Sequence, residues 1–174
     1  MRIELGAGVA VLCAMLSGGV MAAEQPQQCR PSTLPANVEL LADIGGALRR
    51  IFDRSPTFRE QCDRIANATN LRVRIRIDAL IPSRCRAFTI VRRRGYEIHA
   101  DVHLPPSGDH SELVAHEFEH LLEQIEGLNL RRLARVRGSG VHELEGEVFE
   151  TDRAQAAGRI VMAEFRRLRA RATD

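Results

Sequence analysis

The hydrophobic period of this chain changes abruptly at Pro105-Pro106-Ser107-Gly108. Ahead of that turn Tyr96, Ile98, Ala100, Val102 and Leu104 alternate with Glu97, His99, Asp101 and His103, the period of a half-buried strand. Behind it Leu113, Phe118, Leu121, Leu122 and Ile125 recur at helical spacing up to Gly127, with Asp109 and Glu112 placed as a capping-box pair. A strand that passes straight into an amphipathic helix commits the chain to a mixed fold with sheet and helix on one core.

Other segments extend this reading. Val73, Ile75 and Ile77 alternate with Arg72, Arg74 and Arg76, and residues 86–92 predict a further strand. Val38, Leu41, Ile44, Leu48 and Ile51 follow helical spacing through Phe52, and Ser55-Pro56 opens a second helix carrying Phe58, Cys62 and Ile65. The Arg-rich stretch 129–140 reads as a flexible connection, an exposed basic loop or a lid. A last helix is predicted from His142 to Arg169. The expected class is α+β, a short, mostly antiparallel sheet packed on the helix after Asp109 and on a long C-terminal helix.

The N-terminus sets the compartment. Met1 to Ala23 hold one early Arg2, an apolar run from Val9 to Leu16 and small residues around Val20-Met21-Ala22-Ala23, the pattern of a signal peptide spanning 1–22. Residues 23–35 read as a flexible, Gln- and Pro-rich leader, and 36–174 as one domain. The expected location is periplasmic or secreted, with no stable membrane insertion after cleavage. Export leaves Cys29, Cys62 and Cys85, of which Cys62 and Cys85 are the expected disulfide pair.

The 25 basic residues are all arginine, yet the formal net charge is only +2. The clusters Arg72/Arg74/Arg76 and Arg92-Arg93-Arg94 lack the aromatic interleaving of a single-strand binder, so no nucleic-acid partner is expected. The sequence leaves the oligomeric state open.

Chemistry concentrates at His116-Glu117-Phe118-Glu119-His120. Residues four apart share a helix face, so both imidazoles can converge on one Zn²⁺ while Glu117 stands beside it as general base for a metal-activated water. The competing account is a surface helix with two satisfied histidines. A catalytic site needs a third protein donor. Glu143, Glu147 and Glu150, spaced by four and three, share a face of the predicted last helix, with His142 and Asp152 nearby. His99 and His103 read as a solvated polar face rather than a second metal site.

The His-Glu-x-x-His pattern and the stretch Phe149-Glu150-Thr151-Asp152-Arg153-Ala154 together resemble the gluzincin metallopeptidases. The resemblance covers roughly residues 110–158 and is far more specific in its first element. It implies a zincin-like domain, a peptide or protein substrate, and a zinc ligand set of His116, His120 and a downstream glutamate, here Glu150 ahead of Glu147 and His142. It also implies that Asp152 supports a ligating histidine. In the commonest gluzincin spacing the aspartate follows the glutamate by four, an offset that from Asp152 lands on Val148. Tyr96, His142 and Arg153 are the candidate oxyanion donors. Such peptidases bind extended substrates along a sheet edge, here the strand over 96–104 or its neighbour. The alternative to a peptidase is an exported zinc-binding or partner-binding protein without turnover.

Overall fold

The computed structural model describes residues 34–81, 85–145 and 147–171. Strand β1 (Val38–Leu40) is followed by helices α1 (Gly45–Arg54) and α2 (Pro56–Asn67), then by strands β2 (Leu71–Ile77), β3 (Phe88–Arg94) and β4 (Glu97–Leu104). Helix α3 (His110–Ile125), the short α4 (Leu130–Leu133), the hairpin β5 (Val141–Glu145) and β6 (Val148–Thr151), and helix α5 (Asp152–Arg171) complete the order. The predicted signal segment, Cys29 and leader residues 23–33 lie outside the described residues.

The α+β class holds, but the sheet is mixed rather than mostly antiparallel. Its order is β1-β2-β4-β3, with β1 and β4 both parallel to β2 and only β3 antiparallel to its neighbour. Connection length explains this. The chain between β1 and β2 runs through two helices, long enough for a crossover that a tight hairpin cannot make. β3 then pairs with β4 across the turn at Gly95 (φ +62°), leaving β3 on the free edge and β4 in the interior. The expected edge is therefore the neighbour of the 96–104 strand.

Leu71, Val73, Ile75, Ile98, Ala100, Val102 and Leu104 turn one face of the sheet into the core, where helices α1, α2 and α3 cover it. Phe58 of α2 stacks on Phe118 of α3 with centroids 5.3 Å apart, and both are fully buried. Ser55 caps α2 by accepting from the Phe58 amide, and Glu164 of α5 accepts from the hydroxyls of Ser55 and Thr57. Helix α5 is thereby tied to the start of α2.

Four local expectations change. Val38–Leu40 is a strand rather than the start of a helix, because pairing with β2 outweighs its helical spacing. Residues 130–133 are helical and run into tight turns, so the basic connection has structure of its own. Residues 141–151 form a hairpin, and the last helix begins only at Asp152. Cys62 and Cys85 are both free. Cys62 faces the core, where burial pushes its thiol up to about 12, away from the thiolate that disulfide exchange requires.

Candidate metal centre

Helix α3 starts where Asp109 accepts a hydrogen bond from the Ser111 amide at 2.9 Å, while Glu112 pairs with Arg86 instead of closing a capping box. The helical register brings the His116 and His120 rings to 4.9 Å between centroids at 79°. Both rings are half-buried. Helix α5 crosses close to them. A Cβ on Gly158 would stand 3.0 Å from the Glu112 carbonyl oxygen and 3.4 Å from His116 Cβ, so only glycine admits this approach without displacement.

The hairpin supplies the third donor. Glu150 of β6 sets its Oε1 3.3 Å from His116 Nε2 and 3.7 Å from His120 Nε2. Among the described residues, His116, His120 and Glu150 form the one group of metal-competent donors, all within 4.8 Å of one another. A tetrahedral ion with bonds of about 2.1 Å spaces its donors about 3.4 Å apart, so the two Glu150 spacings match zinc and the two imidazoles and a carboxylate suit its chemistry.

A buried brace orients this group. Glu123 accepts a hydrogen bond from His120 Nδ1 at 2.9 Å, which turns Nε2 toward Glu150. Its other oxygen accepts from the Thr151 hydroxyl at 2.7 Å, and Thr151 in turn accepts from the Ala154 amide at 3.0 Å. Glu123 and Thr151 are 1% and 2% exposed. Partners of this kind fix the tautomer and aim of a ligating histidine. Glu123 stands against a histidine of this group where Asp152 was expected, and Asp152 is exposed and bonds His142 Nε2 at 3.0 Å. The sequence signal for it was an acidic residue three positions after His120, on a face otherwise buried.

Glu117 is almost fully buried and accepts from the Thr89 hydroxyl of β3 at 2.7 Å. Burial raises its pKa above the ordinary value, more than the nearby histidines and the Thr89 bond lower it. Burial lowers that of His120, but the Glu123 bond and the charges of Glu117, Glu123 and Glu150 outweigh this and leave it raised.

The other flank of α3 is built differently. Glu119 accepts from Gln61 Nε2 at 2.7 Å and from Arg153 Nε at 2.5 Å, and Glu126 is paired with both Arg153 and Arg64.

Of the remaining expected site residues, Glu147, Tyr96 and Arg153 lie apart from the donors. Glu147 occupies the hairpin turn at φ +71°, exposed and paired with Arg131. Tyr96 is 78% exposed in the β3–β4 turn, and Arg153 is committed to Glu119 and Glu126. His142 stands across the hairpin from Glu150. His103 is buried rather than solvated, stacked on Phe88 and bonded to Asp78, whereas His99 pairs with Glu97 at the surface. No protein-family model, curated protein or solved structure matches this chain.

Proposed function

We propose that the chain is an exported, zinc-dependent peptidase of gluzincin type. The observation that carries this reading is the convergence of His116, His120 and Glu150 beside the buried carboxylate of Glu117. Three protein donors leave the open coordination position of a catalytic site, whereas structural sites close with four.

Zn²⁺ held by these three residues would polarise a scissile carbonyl and acidify a water. Glu117 is the base that takes the proton of the attacking water and later returns it to the leaving amine. Thr89 holds one oxygen of that carboxylate, so the other keeps its lone pairs for the proton. The free edge of β3 supports a peptide substrate, because an extended chain added to that edge lies beside Thr89 and hence beside Glu117. Of the three oxyanion donors considered, His142 is the one on the hairpin that carries Glu150. The apolar run and small residues at the N-terminus support export.

Elemental analysis of the purified chain tests the metal half. About one zinc per chain is expected, lost in Glu150→Ala and kept in Glu147→Ala. No zinc in the wild type after reconstitution would sink the reading. Glu117→Gln tests the catalytic half. It is expected to keep the metal and lose hydrolysis of a peptide library by about 10²-fold or more. An unchanged rate would leave an exported zinc-binding protein without turnover.

A further inference from the structure

The face of the sheet turned away from the helices holds a hollow of about 1060 Å³ whose walls include Arg72, Arg74, Arg92, Arg94 and His99. Strand register sets Arg72, His99 and Arg92 in one row across β2, β4 and β3, where neighbouring strands stand about 4.8 Å apart. Arg72, Arg74 and Arg76 follow one another along β2 on this same face, spaced by about 6.7 Å because every second residue points one way.

The acids at this face are fewer than its arginines, and among the described residues neither Arg72 nor Arg94 bonds a carboxylate. Asp101, only 4% exposed, bonds Arg92 at 2.6 Å, Arg74 at 2.8 Å and Arg76 at 3.3 Å, so one carboxylate serves three guanidiniums. Burial works against that carboxylate's charge, but its arginine partners outweigh burial and hold its pKa below the ordinary value. Arg72 donates to the Thr69 and Leu71 carbonyls, and Arg94 has no carboxylate partner among the described residues. The other acids at this face are Glu39, in register beside Arg74, Glu97, opposite Arg94 and bonded to His99, and Asp78, bonded to His103.

We propose that this face binds an extended acidic segment of a partner protein, with carboxylates at alternate residues, through Arg72, Arg74, Arg92 and Arg94. Guanidinium forks match carboxylates in bidentate fashion, and Asp101 already shows two of these arginines, Arg74 and Arg92, sharing one carboxylate with Arg76. An extended polypeptide repeats its same-side carboxylates at the spacing of the β2 arginines, so the two ladders stay in step. The lining of the hollow holds no Phe, Tyr or Trp ring on which bases could stack, which disfavours single-stranded nucleic acid. The site is independent of zinc, since Thr89 points to Glu117 from the opposite face of β3.

The test is fluorescence anisotropy of a labelled peptide alternating Glu and Ser, titrated with the full chain in EDTA. Saturable binding is expected, weakened when salt rises from about 50 to about 200 mM. Arg72→Glu/Arg94→Glu is expected to weaken it by about tenfold or more with an unchanged melting temperature. Arg72→Gln/Arg94→Gln, which removes charge without reversing it, is expected to do the same to a smaller degree and covers any misfolding of the first variant. No saturable binding, binding unaltered in both folded variants, or tighter binding of a single-stranded DNA of equal charge would each overturn the proposal.

Discussion

Helix α3 carries carboxylates on two flanks that the fold treats in opposite ways. On one, Glu119 and Glu126 meet Arg153 and Arg64, two negative charges against two positive ones. On the other, Glu117, Glu123 and Glu150 meet two imidazoles and the hydroxyls of Thr89 and Thr151, with no guanidinium among the described residues. In a chain with 25 arginines this omission is informative. Buried negative charge is costly unless something balances it, and the proposed metal cation would supply that balance on the open flank. A count of acids would not separate the two flanks, whereas the identity of their partners does.

The largest expected effect that separates them is on metal affinity. Glu123→Ala removes the acceptor that aims His120, and isothermal titration should show zinc binding weakened about 10- to 100-fold. Equal affinity would mean that Glu123 only fills space. Arg153→Met attacks the other flank by leaving Glu119 buried beside Gln61 alone. Thermal or urea unfolding should show a loss of about 2 kcal/mol, below the range for fully buried pairs because Arg153 is partly exposed, with zinc stoichiometry unchanged. Zinc lost from this variant would join the two flanks into one system.

A smaller effect is expected at Thr151, which touches Glu123 and the start of α5. Thr151→Val should lower stability by about 1 kcal/mol and zinc affinity by a few-fold, and Thr151→Ser should restore both. An undiminished affinity in the valine variant would confine the brace to Glu123.

The smallest expected effect is a displacement of midpoints with pH. Hydrogen bonds from Arg153 and Arg64 hold Glu126 down to about 2. A folded pKa below the ordinary 4.5 contributes stability above that pH, and the contribution is lost as pH falls toward 2. Metal ligation fails earlier, because protons compete for the imidazoles, and His120 sits above its ordinary 6.5 despite its burial. Zinc release should therefore fall between about pH 7 and pH 5, with circular dichroism unchanged until well below that. A single coincident transition would refute the separation.

The parts of this molecule that were legible in its sequence are those where local pattern and tertiary contact agree. Helix α3 runs from the Asp109 cap to Gly127 at φ +73°, and β2 and β4 keep their alternation. The hairpin was hidden because Glu143, Glu147 and Glu150 also satisfy helical spacing. Yet Val141 to Leu144 and Val148 to Thr151 alternate on either side of Gly146-Glu147, a hairpin signal that carries more weight than the glutamates' period. Glu150 was thus expected at the centre from the wrong backbone, and it reaches the histidines from a strand. Strand direction was not readable from alternation, which is the same in either sense.

Glu150 follows His120 by 30 residues and is the last strand's donor before α5 begins. A contact of that sequence separation closes late, after the local helix that carries the histidines has formed. Completion of the proposed metal site then depends on the C-terminal helix having docked, which gives the chain a natural order of assembly. A truncated or still-emerging polypeptide presents the histidine pair without its carboxylate partner, so the three donors come together only in the finished fold.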